Sequence, residues 1–161
     1  MKLMADITIE ETNTAFMQAA LEEAAAAASE GEIPVGAVIV RDGEIIARGR
    51  NRNRSRQNAV LHGEMIAIQE ASEITGNERL TGCDLYVTKE PCAMCAGAIV
   101  HARIRKVYIG TPDSKYGACG TALSVCGNPL LNHVPEIEFG LLGEQSRELL
   151  RSFFEALRQK R

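Results

Sequence analysis

Apolar and polar positions change their spacing several times along the chain, and each spacing predicts a different element. The alanine-rich stretch "AFMQAALEEAAAAASEG" favours a helix, which Thr14 can cap and Gly31 can end. Pro34 blocks any continuation of this helix. In "VGAVIVRDGEIIARGRN", two runs rich in β-branched residues flank the turn dipeptide Asp42-Gly43, which predicts a β-hairpin.

Downstream of the hairpin, short apolar runs alternate with stretches of helical spacing. Helices are predicted for "GEMIAIQEASEI", which begins at Gly63, and for "CAMCAGAIVHARI", which begins just after Pro91. Short strands are predicted for "CDLYVTK", "KVYIGT" and "EIEFGLL". The closing stretch "GEQSRELLRSFFEALRQKR" predicts an amphipathic helix. Its apolar face carries Leu149, Leu150, Phe153, Phe154 and Leu157.

The order of these elements predicts an α/β fold. Strand–helix–strand units imply at least one parallel pair of strands, whereas the hairpin adds an antiparallel pair. The result is a mixed sheet with helices on both faces. A chain of 161 residues suits one compact domain, so residues 1–161 are predicted to form a single domain.

Composition agrees with a soluble globular protein, since 45% of the residues are hydrophobic and 24% are charged. The longest apolar run, Ala24–Ala28, is too short to span a bilayer. The N-terminus, "MKLMADITIEE", has no apolar segment followed by a cleavage site. We therefore expect a cytoplasmic protein without a membrane span.

The net charge of −3 hides an uneven distribution. Residues 1–32 hold one lysine and seven acids, a net charge of −6, and the remainder is therefore positive. Positive charge concentrates in two groups, the first near the hairpin and the second at the C-terminus. These are Arg48, Arg50, Arg52, Arg54 and Arg56, and then Arg151, Arg158, Lys160 and Arg161. Such clusters can form a local nucleic-acid footprint on a mildly acidic protein.

The chain has five cysteines, an odd number that argues against a disulfide framework. Cys92 and Cys95 are three positions apart at a predicted helix start, so both can point the same way. With His62, also at a helix start, they offer two thiolates and an imidazole, which suit Zn²⁺. Three protein ligands leave one tetrahedral position open, which is typical of a catalytic zinc site.

Glu64 lies two residues after His62, where its carboxylate can reach the open metal position without filling it. A carboxylate there can move a proton from an activated water to a leaving group. The combination H-x-E…P-C-x-x-C is typical of zinc nucleobase deaminases. The alternatives are a structural zinc half-site and a redox pair, although the strand that normally opens a thioredoxin-like motif is replaced by a helix before Cys83.

The chain resembles the zinc-dependent cytidine deaminase-like superfamily and, within it, the bacterial tRNA adenosine deaminases. The likeness covers nearly the whole chain. It includes "EIPVGAVIV", "GRN", "LYVTKEPCAMCAGAIVHARIRKVYIG", "DSKYGACG", "NPLLNH" and "LLRSFFEALRQKR". The resemblance implies a three-layer α/β/α fold with a mixed five-stranded sheet and one zinc ion per subunit. It also implies a homodimer in which the partner completes the active site.

The resemblance assigns roles to individual residues. His62, Cys92 and Cys95 resemble the zinc ligands, and Glu64 resembles the proton shuttle. Asn51 resembles the asparagine that binds the target base, although it could equally be a turn residue ending the hairpin. Further positions resemble the lining of the substrate channel: Asp113, Lys115, Asn132, His133 and Phe154. Alternatively, Asp113 caps a helix, His133 is a satisfied loop histidine, and one of Phe153 and Phe154 belongs to the core.

The arginines between Arg48 and Arg56 help to indicate whether the substrate is an RNA. If their segment is extended, Arg48 to Arg56 at every second position project from one face. Arg52, Arg54 and Arg158 are then expected to contact phosphates of a tRNA anticodon stem-loop, with adenosine at position 34 as the target. A solvated sheet edge is the simpler interpretation.

Two other functions remain open. The form His-Gly-Glu, with Gly63, also resembles the fungal cytosine deaminases, and "QNAVLH" stands where the tRNA enzymes usually have Asp-Pro-Thr. The chain could therefore deaminate a free nucleobase such as cytosine or guanine. A non-catalytic RNA-binding module with structural zinc is the third hypothesis, but such a module has no use for Glu64.

Overall fold

Five strands form one mixed sheet in the computed structural model, which describes residues 7–160. The strands are β1 (Gly36–Arg41), β2 (Glu44–Arg50), β3 (Cys83–Lys89), β4 (Lys106–Thr111) and β5 (Glu136–Phe139). Their order across the sheet is β2-β1-β3-β4-β5. β1 runs antiparallel to both β2 and β3, whereas β3, β4 and β5 are parallel. The predicted hairpin, parallel pair and mixed five-stranded sheet are confirmed.

Four helices cover both faces of the sheet, as predicted. They are α1 (Ile9–Ser29), α2 (Gly63–Thr75), α3 (Ala93–His101) and α4 (Gly143–Gln159). Successive residues of β1 point to opposite faces: Ile39 packs in the core that contains residues of α2 and α3, and Val38 packs in the core that contains residues of α1. None of the helices described between residues 7 and 160 has the length and apolar character needed to cross a bilayer.

The first helix starts earlier than the sequence indicated. Thr8 is its N-cap, where the Thr8 hydroxyl accepts from the Glu11 backbone N–H and the Glu11 carboxylate accepts from the Thr8 N–H. This reciprocal capping box satisfies two N–H groups that a helix start leaves unpaired. The prediction that Thr14 caps the helix was wrong, since Thr14 lies inside it. Gly31 follows the helix end with φ +79°, as expected for a stop signal.

The last strand is shorter than predicted. β5 ends at Phe139, because Gly140 (φ +101°) and Leu142 (φ +49°) take left-handed conformations that turn the chain into α4. α4 then crosses close to β4, where a Cβ at Gly143 would lie 2.5 Å from the carbonyl oxygen of Gly110. The apolar face predicted for α4 is only partly covered, and Phe154 is 38% exposed. Arg161, the end of the predicted basic tail, lies outside the described residues.

Candidate metal centre and catalytic cavity

The two predicted halves of the metal motif meet at one end of the sheet. His62 is the N-cap of α2, and Cys92 is the N-cap of α3. Nδ1 of His62 lies 3.6 Å from Sγ of Cys92 and 3.6 Å from Sγ of Cys95. Their ligand atoms all lie within 4.8 Å of one another, and among the described residues no other group of three metal-binding side chains comes together in this way.

Electrostatics at the two helix starts favour metal binding. The hydrogen bond with Cys95 and the hydrogen bond with His62 lower the pKa of Cys92 to about 4, so this thiol is ionised at neutral pH. The pKa of Cys95 is raised, first by its hydrogen bond to Cys92 and then by burial. The hydrogen bond to Cys92 also raises the pKa of His62. A metal ion bound here would displace the remaining thiol proton, because metals bind thiolates.

Glu64 supplies a second reason to expect a ligand here. Its side chain is buried in the first turn of α2 with 3% of its surface exposed, and Oε1 has no hydrogen-bond partner within the chain. Burial raises the pKa of this carboxyl group. An unpaired buried carboxylate oxygen is costly, so a group from outside the chain is needed to satisfy it. The donor set of two cysteines and one histidine, with an acid beside it, fits one Zn²⁺ per subunit with an open coordination position.

A cavity of about 480 Å³ opens above this cluster. That volume lies within the range of pockets that hold small ligands. Three elements of the fold and four loops contribute to its walls. The lining residues are Ile33, Val35, Asn51, Asn53, His62, Glu64, Lys89, Glu90, Cys92, Asp113, Tyr116 and Phe154. The cavity therefore brings Asn51, Asp113 and Phe154, three of the predicted substrate residues, to the predicted metal ligands.

Asn51 lines the cavity and also links two backbone segments beside it. Its Oδ1 accepts from the backbone N–H of Gly63 at 2.9 Å, and its Nδ2 donates to the carbonyl oxygen of Ile33 at 3.2 Å. These bonds fix the start of α2 beside His62. A side-chain amide can donate twice and accept twice, so one donor and one acceptor site of Asn51 remain for a ligand.

Asp113 organises a turn at the cavity rim, not a helix as in the alternative interpretation. Its Oδ2 pairs with Nζ of Lys89 at 2.9 Å, and its Oδ1 accepts from the backbone N–H groups of Lys115 and Tyr116. Burial acts to raise the pKa of Asp113, but the Lys89 ammonium and the two N–H groups outweigh it and lower that pKa. The turn holds Tyr116, which is 70% exposed, at the rim.

The remaining predicted contacts lie outside the cavity. Lys115 and Asn132 are exposed, and so are Arg54 and Arg158. Arg52 is half-buried in the loop that follows β2. His133 is also half-buried, and its Nε2 lies 2.6 Å from the carbonyl oxygen of Ile104.

The arginine segment is not extended beyond β2, so the condition for a single row of arginines on one face is not met. Arg48 and Arg50 lie in the strand, but the chain then turns. Glu32 helps to hold this turn, since it is fully buried and accepts from the backbone N–H groups of Arg54 and Ser55. Arg50 is already paired, with Glu23 at 3.0 Å and Glu30 at 2.7 Å. Arg52, Arg54 and Arg56 therefore lie on a turning loop, separate from the Arg50 ion pairs.

Several cavity residues were not predicted from the sequence. Lys89, Glu90 and Tyr116 line the cavity, and Glu32 anchors the adjacent loop. The sequence held one indication of the two glutamates. Glu32 and Glu90 each stand just before a proline-containing turn, in "EIP" and "EPC". A carboxylate at such a turn is well placed to accept from free backbone N–H groups.

Comparisons with known proteins agree with this geometry. Residues 10–111 match the family model described as the cytidine and deoxycytidylate deaminase zinc-binding region. The tRNA-specific adenosine deaminase of Agrobacterium fabrum is 47% identical over 148 residues, covering 92% of this chain and 95% of that protein. The enzyme of the same name from Bacillus subtilis is 44% identical, covering 91% of each chain.

Solved structures give the same result. A structure from a study of A-to-I editing by tRNA:A34 deaminases superposes with a TM-score of 0.82 and 46% identity, covering 85% of this chain and 99% of that one. The guanine deaminase of Nitrosomonas europaea, at 23% identity and a TM-score of 0.77, shares the fold. With its fold, its His-Cys-Cys cluster and these relatives taken together, the chain belongs to the cytidine and deoxycytidylate deaminase family of zinc-binding enzymes, in the branch of the tRNA-specific adenosine deaminases.

Proposed function

We propose that the protein hydrolyses adenosine to inosine at the wobble position, residue 34, of tRNA and releases ammonia. The observation that carries the proposal is the unpaired Oε1 of Glu64, buried beside the His62, Cys92 and Cys95 cluster at one wall of the cavity. The identity of 42–47% to proteins named tRNA-specific adenosine deaminase supports the choice of substrate.

The four residues have different roles in the proposed reaction: three bind the metal and one transfers a proton. His62, Cys92 and Cys95 would hold zinc, which when bound supplies the Lewis acidity that lowers the pKa of a water molecule. Glu64 accepts a proton at Oε1 from the water that attacks C6 of the adenine, and delivers it to the departing amino group. The burial that raises the pKa of Glu64 suits a carboxylate that must hold this proton during the transfer.

The cavity suits a base removed from its stack. Asn51 keeps one donor and one acceptor site free for a purine edge, and the Phe154 ring at the rim can stack on a neighbouring base. Arg52, Arg54 and Arg158 would contact phosphates of the anticodon stem-loop. Lys115, Asn132 and His133 would add contacts further along the RNA.

We further propose that the protein is a single-domain cytoplasmic homodimer, in which the partner subunit completes the RNA channel. Leucine and valine side chains stand exposed in the loop before β5, with Leu130 at 90% exposure, together with Leu131 and Val134. Such a cluster is typical of an association surface. Light scattering of the purified protein should give twice the chain mass of 17.5 kDa.

One assay separates this function from the alternatives. Zinc-loaded protein is incubated with an anticodon stem-loop carrying adenosine at position 34, and separately with cytosine, guanine and adenine. We expect inosine and one equivalent of ammonia from the stem-loop only, and no product from a matched stem-loop with guanosine at position 34. Ammonia from a free base alone would replace the proposal with a nucleobase deaminase, and binding without any ammonia would indicate a non-catalytic RNA-binding module.

A further inference from the structure

Glu90 is a buried acid that the proposed chemistry leaves unused. It lies between β3 and the zinc ligand Cys92, and only 3% of its surface is exposed. Its carboxylate is nevertheless fully satisfied. Oε1 accepts from the backbone N–H of Asp113 and the Thr121 hydroxyl, and Oε2 accepts from the N–H groups of Cys119 and Thr121. One side chain thus gathers four donors that are spread over nine residues of sequence.

These four donors all belong to residues 113–121, in the loop between β4 and β5 that forms one wall of the cavity. Asp113 and Tyr116 in this loop line the same cavity as His62 and Cys92. The loop presses directly against the carboxylate, since a Cβ on Gly117 would lie 2.4 Å from Cδ of Glu90. The loop is also tied to the metal centre through the backbone, because Ala118 donates to the carbonyl oxygen of Pro91 at 2.8 Å.

We infer that Glu90 is a positioning residue: it fixes the wall formed by Asp113 and Tyr116 at a set distance from Cys92 and thereby sets how tightly the target nucleotide is held. This inference rests on the proposed function for its substrate. Three of the four partners are backbone N–H groups, which can only donate, so a carboxylate satisfies all of them whereas an amide cannot. An amide would turn an NH₂ group toward one pair of partners, leaving at least one backbone N–H unpaired in a buried site.

Two variants weaken the contact between Glu90 and the loop of residues 113–121 to different extents. Glu90→Gln keeps the shape and disrupts one pair of donors. Thr121→Val removes only the hydroxyl donor, at an exposed position, and is the mild variant in case Glu90→Gln folds poorly. Glu32→Gln is the matched control, because Glu32 is also buried but binds backbone N–H groups of Arg54 and Ser55 in a different loop.

Amide hydrogen exchange tests the positioning directly. We expect Glu90→Gln, and more weakly Thr121→Val, to speed exchange at residues 113–121 while β3 and α2 stay protected. Glu32→Gln should instead speed exchange at residues 52–58. Unchanged protection at residues 113–121, or an equal loss of protection throughout the chain, would overturn the inference.

Kinetics with the adenosine-34 stem-loop test the consequence. In Glu90→Gln we expect bound zinc to stay at one per chain, KM to rise about tenfold, and kcat to change less than about threefold, since binding and not chemistry is affected. A fall in kcat with KM unchanged would contradict the inference, because it would indicate only a smaller active fraction. If the wild-type protein proves inactive on the stem-loop, the proposed function fails, whereas the exchange data still decide whether Glu90 holds the loop.

Discussion

Nδ1 of His62 and Sγ of Cys92 lie 3.6 Å apart, although thirty residues separate them in sequence. Both residues are N-caps, so the starts of α2 and α3 face the same point. Helix N-termini carry partial positive charge that stabilises a thiolate. A compact, partly ionised donor cluster therefore arises from the way two strand–helix connections end at one edge of the sheet.

Removing any one of the three donors should abolish metal binding. We expect His62→Ala, Cys92→Ala and Cys95→Ala each to lose the single zinc ion, because two ligands hold it poorly. Zinc content by atomic emission, and zinc released to a colorimetric chelator, measure the effect. Cys83→Ala is the matched control, since Cys83 is a buried thiol outside the cluster and its variant should retain one zinc per chain. Full zinc content in Cys92→Ala would refute the assignment.

Replacing Glu64 should separate metal binding from catalysis. Glu64→Gln keeps the shape of the side chain but cannot carry a proton, so kcat is expected to fall by about 10² to 10⁴ with zinc retained. Single-turnover conversion of the adenosine-34 stem-loop provides the measurement. Glu73→Gln, an exposed position on the same helix, should leave the rate unchanged. Turnover by Glu64→Gln at the wild-type rate would exclude Glu64 as the proton carrier.

The parts of the site predicted from sequence depend on local signals. The helix starts at His62 and Cys92 follow from Gly63 and Pro91 beside them, and the spacing of Cys92 and Cys95 fixes their common direction. Helix α1 was placed too late, because its alanine-rich body gives no indication of where the helix begins. The Thr8 and Glu11 capping box provides that start.

The parts that sequence did not predict depend on contacts between distant segments. The loop carrying Arg54 turns because Glu32, twenty-two residues earlier, accepts its backbone N–H. The Tyr116 wall of the cavity depends on Glu90 in the same way. No local pattern identifies the N–H group that a buried carboxylate will find, so these loops could not be placed beforehand.

The arginines should fall into two classes. Arg50 pairs with Glu23 and Glu30 and links β2 to α1, so Arg50→Gln is expected to destabilise the fold by about 1 kcal/mol. Arg54 is exposed with no ion pair of 4.0 Å or less among the described residues, so Arg54→Gln should keep the wild-type stability. Its stem-loop affinity should instead weaken, with the salt dependence reduced by about 0.7 to 1 on a log–log slope.

Urea unfolding and RNA binding at several salt concentrations distinguish these two classes. The two variants remove the same charge within four residues of each other, so each serves as the control for the other. An identical salt slope in Arg54→Gln and the wild-type protein would show that Arg54 makes no phosphate contact, and would leave it as part of a solvated loop.

Two glycines near the metal centre should differ in how much stability an added methyl group costs. At Gly49 in β2, a Cβ would lie 2.1 Å from the carbonyl oxygen of Gly63 and 2.8 Å from the backbone nitrogen of Ala67. Backbone atoms cannot move aside without displacing α2, so Gly49→Ala is expected to cost about 3 kcal/mol. The same displacement would pull His62 away from Cys92 and lower zinc affinity.

At Gly63 the added group meets only tight contacts, 3.2 Å from Cα of Arg50 and 3.2 Å from the carbonyl oxygen of Val35. Alanine gains up to about 1 kcal/mol over glycine in a helix, which offsets the crowding. The free energy of unfolding of Gly63→Ala should therefore lie within about 1 kcal/mol of the wild-type value, and the variant should keep its zinc. Wild-type stability of Gly49→Ala, by urea unfolding of the zinc-loaded protein, would mean that α2 does not pack on β2 through Gly49.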